Sequence, residues 1–393
     1  MSFDVTTLSE ISINGGSYGI AASAVPYSKD LPTYLRITDI NRNGTLNLQG
    51  LKSVTDPKAT KYFLLPNNIV FARTGASTGR NYFYDGTDGS FVYAGFLIKF
   101  SIDPNKVNPL YVKYYCQSKD YYDWVSSFNT GSTRGNINAK MLGNMPIPLP
   151  PRKQQDTLAA TLFALDEKIA VNEKINHRLE QIAQAIFKSW FVDFEPWGGV
   201  MPEDWREGTL SEIADIVMGQ SPEGSSYNEN GIGTVFYQGR AEFGYRFPTR
   251  RLFTTEPKRM AKKGDILMSV RAPVGDLNIA FEPCCIGRGL AAVRSIRDRR
   301  SFTFYSMLTL KQQLNTYNAE GTVFGSINTK DFANLRILIP SDKLIDRFEE
   351  TIRPLDNQIE SNYSECVNLQ SIRDLLLPRL MSGEVSVANI EDA

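Results

Sequence analysis

Two segments in the first half of the chain combine arginine, hydroxyl and glycine residues in a pattern suited to nucleic acid. Arg73–Arg80 holds two guanidinium groups, three hydroxyl groups and two glycines, and Gly131–Lys140 adds further hydroxyl, amide and basic side chains. Glycines let backbone N–H groups approach a phosphate closely, and an arginine can donate two hydrogen bonds to O6 and N7 of guanine. Taken singly, each segment is interpreted first as a tight turn and second as a contact with DNA.

Both segments recur downstream in the same order. Val270–Gly275 keeps one arginine and one glycine, and Gly321–Lys330 repeats the spacing of Gly131–Lys140. Recurrence is better evidence for a shared fold than for shared bases, so we expect differences in base reading where the copies differ, as at Arg134 and Phe324. The side chains predicted to contact DNA are Arg73, Thr74, Ser77, Arg80, Ser132, Thr133, Arg134, Asn136, Lys140, Arg240, Arg271, Arg288, Thr322, Ser326 and Lys330.

The charge distribution also favours an anionic partner. The formal net charge of the 393 residues is zero, but residues 240–300 carry fourteen Lys and Arg against six Asp and Glu. Residues 1–150 carry fourteen against ten. Two basic stretches of this kind are typical of nucleic-acid binding, and solvated surface charge that clusters without a ligand is the alternative.

The sequence lacks the residues that most catalytic sites need. His177 is the only histidine, which excludes most Ser/His/Asp triads and histidine-rich metal sites. There is no G-x-x-x-x-G-K-[ST] phosphate loop, no G-x-G-x-x-G after a strand and no N/D-P-P-Y/F tetrapeptide of amino-methylating DNA methyltransferases. The E-x-K fragment at Glu256–Lys258 has no accompanying P-D carboxylate and is attributed to chance. We therefore predict a binding protein without catalytic residues, a metal or a cofactor.

Cysteine usage and hydropathy predict a cytoplasmic protein. Cys116, Cys284, Cys285 and Cys366 form no C-x-x-C pair, so buried reduced thiols are expected. The chain has no run of eighteen apolar residues and no basic-then-apolar signal at its N-terminus.

An internal repeat indicates how the candidate segments are positioned. Thr7–Ile11 recurs letter for letter as Thr209–Ile213, and from Gly135 and Gly325 onward the two copies run without a gap. Each copy predicts a globular region followed by a helical region. The predicted domains are a first globular domain at residues 1–150, a helical region at 151–195, a second globular domain at 196–340 and a helical region with a tail at 341–393.

The globular regions predict an α+β fold, because short β-branched and aromatic runs alternate with turn residues and a few helical segments. The predicted strands are Tyr34–Ile40, Ile69–Ala72, Phe91–Phe100, Thr234–Gln238, Ile266–Val270 and Leu290–Ser295. The predicted helices are Pro109–Phe128 and Thr303–Asn318.

The helical regions predict two long helices that pair with each other. Pro151–Phe194 repeats apolar residues at spacings of three and four, which would give a helix roughly 45 Å long with a narrow apolar seam. Such a seam needs a partner, and the repeat supplies it at Ser341–Val385. The predicted seam residues are Leu158, Leu162, Leu165, Ile169, Asn172, Leu179, Ile186, Leu355, Ile359, Asn362, Leu369 and Leu376.

Three details of the helices carry separate expectations. A buried Asn172 or Asn362 would need a polar partner and would then set the register, whereas outward-facing asparagines are the alternative. Pro354 predicts a kink or a late helix start near Arg353. The outer helix faces are too apolar for a free surface; the residues concerned are Phe163, Ile175, Phe187 and Phe191.

The whole series of motifs resembles the DNA specificity subunit (HsdS) of type I restriction–modification systems. The resemblance covers nearly the full length and is strongest at Ile147–Gln155, Leu165–Ile169 and Asn328–Ile359. It implies two target recognition domains separated by two conserved helical regions that pack antiparallel. It further implies that each helical region docks one methyltransferase subunit, which methylates adenine with S-adenosylmethionine, and that motor-nuclease subunits join for cleavage.

We therefore predict a non-catalytic, sequence-specific DNA-binding subunit that reads a split target, one recognition domain per half-site. The helices would set the spacer between the half-sites and dock the methyltransferase subunits. Two alternatives remain: a protein-interaction scaffold that uses its coiled coil without DNA, and a stand-alone nuclease or methyltransferase.

Overall fold

The chain folds into two compact units. The structure, a computed structural model, describes residues 3–48, 50–128, 135–318 and 325–384. One unit comprises Met1–Ala170 with Cys366–Ala393, and the other comprises Val171–Glu365. Each unit therefore contains one globular region and part of each of two long helices. The four predicted domains, which separate globular from helical regions by function, stay a prediction.

The elements follow one another in the same order in both halves of the chain, with one additional strand in the second half. The first globular region contains β1 (Asp4–Thr7), β2 (Ser17–Tyr18), β3 (Val25–Pro26), β4 (Thr33–Leu35), β5 (Lys52–Ser53), β6 (Asn68–Ala72), β7 (Asn81–Tyr84), β8 (Phe91–Tyr93), β9 (Leu97–Ser101) and β10 (Pro146–Leu149). Its helices are α1 (Pro109–Tyr115), α2 (Lys119–Ser126) and α3 (Ala139–Gly143), and the long helix α4 (Arg152–Phe191) follows.

The second globular region contains β11 (Arg206–Thr209), β12 (Ala214–Met218), β13 (Tyr227–Asn228), β14 (Thr234–Tyr237), β15 (Phe253–Thr254), β16 (Met260–Ala261), β17 (Ile266–Ser269), β18 (Leu277–Ile279), β19 (Cys284–Ile286), β20 (Leu290–Ser295) and β21 (Arg336–Ile339). Its helices are α5 (Arg300–Thr309), α6 (Lys311–Asn315) and α7 (Thr329–Ala333), and the second long helix is α8 (Asp342–Met381). Within the described ranges, no helix is both long and apolar enough to cross a membrane.

A buried central strand organises each globular region. In the first, β6 lies in an antiparallel sheet of order β2-β9-β6-β7. Ile69 and Phe71 enter one core and Val70 and Ala72 enter another, because successive strand residues point to opposite faces. A second sheet has the order β3-β5-β4-β8 and includes the parallel pair β4–β8, and β1 pairs with β10.

The second globular region repeats this topology. Its antiparallel sheet has the order β12-β20-β17-β18, its second sheet β13-β15-β14-β19-β16 includes the parallel pair β14–β19, and β11 pairs with β21. The registers correspond as well: Ala72 pairs with Leu97 in the first region, and Ser269 pairs with Leu290 in the second. The predicted α+β fold with an internal repeat is confirmed.

Some predicted elements are divided in the structure. Only the start of Tyr34–Ile40 is a strand, and Phe91–Phe100 is interrupted because the N–H of Leu97 donates to the carbonyl of Ala94 in a turn. The predicted helix Pro109–Phe128 becomes α1 and α2, since the Ser118 hydroxyl accepts from the N–H of Tyr121 and starts a new helix. Likewise, Thr303–Asn318 becomes α5, which begins earlier at Arg300, and α6.

Both long helices contain 40 residues. The late start near Arg353 is wrong, because α8 begins at Asp342. Ile345, Phe348 and Ile352 precede Pro354 and are buried in the core of the second unit, so packing holds the first turns in place. Pro354 removes only one helical N–H donor, so the helix can continue through it. The predicted kink stays a prediction.

Within the first unit, α4 and α8 run antiparallel. Asp166 accepts from the Arg373 guanidinium at 3.0 Å, and the Ile169 carbonyl accepts from the Cys366 thiol at 3.8 Å. The seam residues Leu158, Leu162 and Ile169 are buried, and Leu165, Leu369 and Leu376 are half-buried.

Within the second unit, polar side chains join the two helices. Asn172 is buried and donates to Glu365 Oε2 at 2.7 Å, and buried Asn362 donates to Asn176 Oδ1 at 2.8 Å. Neither Asn172 nor Asn362 faces outward, and each has the polar partner that a buried amide requires. The seam residues Ile359, Leu179, Ile186 and Leu355 are buried or half-buried in this unit.

Two aromatic residues assigned to an outer helix face belong instead to the core of the second unit. Phe187 and Phe191 are buried, and their rings lie 5.6 and 5.2 Å from that of Phe348. Both side chains are therefore too apolar for a free surface, as expected, and the globular region of the same unit covers this second face of α4. Phe163 is half-buried against the first core, and only Ile175 of the four is exposed.

The repeated aspartate of the long helices joins each helix to its globular region. Asp166 accepts from the Tyr114 hydroxyl at 2.9 Å, and Asp356 accepts from the Tyr305 hydroxyl at 3.2 Å and from Arg246 at 2.6 Å. Burial, together with the Asp166 carboxylate, raises the pKa of Tyr114. Burial lowers the pKa of the Arg246 guanidinium, but Asp356 and the other acidic groups around it together outweigh burial and raise that pKa.

Phe348 is the strongest test of the second core. It is 0% exposed, and five aromatic rings surround it. We expect Phe348→Ala to lower the free energy of unfolding of this unit by about 3–5 kcal/mol, because it leaves a cavity. Chemical denaturation followed by tryptophan fluorescence measures it, since three of the four tryptophans, Trp190, Trp197 and Trp205, lie in this unit.

The matched control is Ile232→Ala, which truncates a side chain that is 58% exposed. This change should leave stability within about 0.5 kcal/mol of the parent. Equal losses for Phe348→Ala and Ile232→Ala would contradict the packing described above.

Candidate nucleic-acid interface

The two segments singled out in the first half of the chain lie side by side beyond the end of β6. The N–H of Arg73 donates to the carbonyl of Phe96 at 3.1 Å, and the carbonyl of Arg73 accepts from Ile137 at 2.9 Å. The N–H of Gly75 reaches the carbonyl of Gly135 at 3.3 Å. The chain thus continues beyond β6 in an extended form, and it is hydrogen-bonded to one segment on each side. We call this arrangement of residues 73–75, 96 and 135–137 the first frame.

The turn of the first frame is held by its own polar groups. The Thr78 hydroxyl donates to the carbonyls of Gly75 and Gly135, at 2.7 and 3.0 Å. Gly79 has φ +83°, and a Cβ there would lie 2.6 Å from Val125, so glycine is required on both counts. Ser77 is buried and Arg80 donates to the carbonyl of Ile40 at 3.1 Å. The contact of both side chains with DNA stays a prediction.

Other predicted side chains of the first unit face solvent. Asn136 and Lys140 are exposed, and Arg73 and Thr74 are half-exposed. The Arg73 guanidinium lies over the ring of Tyr18, 5.2 Å from its centroid. The predicted contacts at Ser132, Thr133 and Arg134 lie outside the described residues.

The second unit builds the same frame from the corresponding segments. The N–H of Val270 donates to the carbonyl of Gly289 at 2.9 Å, and the carbonyl of Val270 accepts from Ile327 at 3.1 Å. Ala272 donates to the carbonyl of Gly325 at 2.8 Å. We call this arrangement of residues 270–272, 289 and 325–327 the second frame.

The two frames place their arginines at different positions. Arg73 and Val270 make the same two backbone hydrogen bonds, so the structural counterpart of Arg73 is buried Val270. Exposed Arg271 corresponds to Thr74, because it pairs with Ser326 as Thr74 pairs with Asn136. Neighbouring residues of an extended chain point to opposite sides. Arg73 and Arg271 therefore present their guanidinium groups on opposite sides of the extended segment.

The remaining predicted residues of the second unit differ in whether they are exposed and free to contact DNA. Ser326 and Lys330 are exposed, and Arg288 is exposed beside Gly289 of the second frame. Arg240 forms an ion pair with Asp276, so its charge is partly neutralised. Thr322 lies outside the described residues.

Most of the basic stretch at residues 240–300 is neutralised by carboxylates of its own unit. Ten of its fourteen basic residues form ion pairs: Arg240, Arg246, Arg250, Arg251, Lys258, Lys263, Arg294, Arg297, Arg299 and Arg300. The Asp265 carboxylate, for example, raises the pKa of Arg294 through a hydrogen bond. Arg259, Lys262, Arg271 and Arg288 are exposed without an acidic partner in the part of the chain that the structure describes. Two of these four adjoin the second frame.

Tyr18 and Phe96 are residues of the first site that the sequence did not identify. Tyr18 is 42% exposed under Arg73, and Phe96 is 58% exposed and accepts the backbone hydrogen bond of Arg73. The signal available in the sequence was an aromatic residue next to a glycine, at Tyr18–Gly19 and at Gly95–Phe96. Only the sheet brings residues 18, 73 and 96 together.

Comparison with known proteins relates this architecture to one family. A family model described as the type I restriction modification DNA specificity domain matches residues 22–181 and again residues 202–365. A Methanocaldococcus jannaschii protein assigned as the specificity subunit of the type I restriction enzyme MjaX is 30% identical over 354 residues. That alignment covers 86% of this chain and 83% of the relative.

Two more distant comparisons agree. The type I restriction enzyme HindI specificity subunit of Haemophilus influenzae is 23% identical over 442 residues, covering 91% of this chain and 96% of the relative. The structure of a type I restriction–modification S subunit from M. genitalium shares the fold, with a TM-score of 0.59 at 18% identity over 97% of this chain and 96% of that one. The resemblance inferred from the motifs is confirmed: the chain belongs to the family of DNA specificity subunits of type I restriction–modification systems, with two copies of the specificity domain.

Proposed function

We propose that this chain reads a DNA target in two parts and takes no part in catalysis. Residues 1–150 would bind one half-site and residues 196–340 the other. The observation that carries the proposal is the pair of frames: one backbone arrangement is built twice, with different exposed side chains at its positions. The chain would be located in the cytoplasm, the compartment that holds the DNA.

The frames suit a reading role because the backbone is rigid and the side chains around it vary. Asn136 and Lys140 are exposed at the first frame, and Arg271 and Arg288 at the second. Amide and guanidinium groups can recognise base edges, whereas lysine more often contacts phosphate. Because Arg73 and Arg271 occupy different frame positions, the two half-sites would differ in sequence.

We propose that two methyltransferase subunits dock on the long helices, residues 151–195 and 341–393, and carry the adenine methylation. Motor-nuclease subunits would complete the restriction complex. Ile182 of α4 and Ile372 of α8 support this, since they occupy equivalent positions of the repeat and are 48% and 46% exposed. Val171, Ile175 and Leu375 add further exposed apolar surface on the same helices. One equivalent patch per repeat fits two copies of one partner.

The experiment that tests the function is a selection of random duplexes with the full chain, with and without its methyltransferase subunit. Enrichment of two short sequences separated by an unread spacer is the expected result, with affinity that falls steeply as salt rises. Enrichment of one uninterrupted site would contradict split reading. Absence of salt-dependent binding under both conditions would favour the protein scaffold, and DNA turnover by the chain alone with Mg²⁺ and S-adenosylmethionine would favour the stand-alone enzyme.

Arginine substitutions separate the two half-sites. Arg73→Ala should cost roughly 1–3 kcal/mol on the first half-site only, and Arg271→Ala the same on the second, because each guanidinium would read a base. Competition binding against duplexes altered in one half-site measures both. Arg152→Ala, which removes an exposed arginine at the start of α4, is the control and should change neither preference. An equal loss on all sequences would instead indicate a phosphate contact.

A charge on the exposed helix patches should prevent docking. Ile182→Asp or Ile372→Asp should weaken binding of one methyltransferase copy on the order of tenfold, because a carboxylate cannot be buried unpaired in an interface. The double variant should bind neither copy, as measured by sedimentation of the mixed subunits. Ile232→Asp, at a side chain that is 58% exposed in the second globular region, is the control. Unchanged stoichiometry in the double variant would exclude these patches.

A heptad inserted in each long helix tests the spacer role. Seven residues after Ala170 and seven after Glu365 add about 10 Å of helix while the seam keeps its phase. The selected spacer should lengthen by about three base pairs, at 3.4 Å per base pair. Five-residue insertions at both places rotate the seam by about 140° out of phase, at about 100° per residue, and serve as the control, which should lose stability. A spacer that stays the same with the heptads in place would refute the role.

A further inference from the structure

The first frame contains an aromatic–guanidinium pair that the second frame lacks. We propose that Tyr18 is a positioning residue that determines specificity at the first half-site, because it holds the Arg73 guanidinium ready to meet a base with two acceptors, such as guanine. The proposal rests on DNA reading by the first unit and deepens it by naming the group that sets base preference there.

Tyr18 is held at both ends. Its backbone pairs with Ile98 across β2 and β9, and its hydroxyl accepts a hydrogen bond from the N–H of Ala139 at 3.1 Å. Ala139 is the first residue of α3, so the ring bridges the sheet edge and the segment that carries Asn136 and Lys140. A ring fixed in this way keeps one orientation while 42% of its surface stays open to solvent.

Arg73 is held just as closely. Its N–H and carbonyl are both used in the first frame, and its guanidinium lies over the Tyr18 ring at 5.2 Å, within the range of a cation–π contact. Its Nε is buried without an acceptor among the described residues. The donors at the tip of the guanidinium form no hydrogen bond with another described residue and remain for a ligand. Restricting a long side chain before binding reduces the entropy lost on binding and strengthens base recognition.

The surroundings of the pair are those of a contact surface rather than a core. Phe96, which accepts the backbone hydrogen bond of Arg73, exposes 58% of its side chain. Aromatic residues with one open face beside an arginine are enriched where proteins bind partners, and they give apolar contact to bases such as the thymine methyl group. A purely structural cation–π pair at an exposed site would add little stability.

The second unit shows that the shared fold does not require this pair. The counterparts of Tyr18, Arg73 and Phe96 are Met218, Val270 and Gly289, as the matching strand pairs and backbone hydrogen bonds establish. The same backbone frame forms there without a ring or a guanidinium at those positions. The effect of Tyr18 should therefore be confined to the half-site read by the first unit.

The test compares three variants of the full chain in the duplex selection and in competition binding. Tyr18→Leu removes the ring and the hydroxyl, Tyr18→Phe keeps the ring, and Tyr27→Leu removes a tyrosine of the same unit that is 51% exposed. Thermal unfolding of each variant separates a loss of folding from a loss of reading.

We expect Tyr18→Leu to lower affinity for the preferred first half-site by about tenfold and to flatten base preference at one or two positions, with the second half-site unchanged. Tyr18→Phe should keep the base preference and stay within about threefold of the parent, because the cation–π contact survives. Tyr27→Leu should match the parent.

Two results would overturn the inference and are distinct from failure of DNA reading. If Tyr18→Leu kept the parent's base preference at the first half-site, Tyr18 would have no role in specificity, while split reading would stand. If Tyr18→Phe lost the preference as fully as Tyr18→Leu, the ring would not be the positioning element. Failure of the parent chain to prefer any half-site would instead refute the proposed function itself.

Discussion

A carboxylate at the same place in each long helix ties that helix to the globular region of its own unit. Asp166 accepts a hydrogen bond from the hydroxyl of Tyr114, and Asp356 accepts one from the hydroxyl of Tyr305. A carboxylate withdrawn from water is stable only where donors replace the water, so the pair tolerates little rotation or sliding of the helix. Tyr114 and Tyr305 lie in the cores that also contain residues of the central strands β6 and β17, so each contact links a long helix to the sheet that leads into the frame.

The two frames explain how one fold can serve two readings. Backbone hydrogen bonds, together with a glycine of positive φ packed against the following helix, define each frame; Gly79 lies on Val125 and Gly275 on Leu314. Thr78 is the side chain that adds to these bonds in the first frame, and the other side chains play little part in holding the extended segments together. They are therefore free to differ, and a shift of one residue moves an arginine from one side of the chain to the other.

Formal charge is a poor guide to the surface of the second unit. The stretch at residues 240–300 is strongly basic in sequence, yet carboxylates from several elements, such as Asp342 of α8 and Glu180 of α4, pair with its arginines. Among the described residues, four cations of this stretch have no acidic partner; Arg271 lies in the second frame and Arg288 lies beside it. Base reading, if it occurs there, would depend on a few side chains and not on a broad positive patch.

The sequence by itself determined the family, the α+β repeat, the central strands and the two long helices, because these follow from apolar periodicity and from motifs repeated in order. It did not reveal that Phe187 and Phe191 belong to a core, since one helix face looks apolar whichever partner covers it. It did not reveal Tyr18 or Phe96 beside Arg73, or the one-residue shift between Arg73 and Arg271. Only the tertiary structure decided these points, because strand register and turn geometry bring together residues that are distant in the chain, and the periodicity of a single segment carries no information about its neighbours in space.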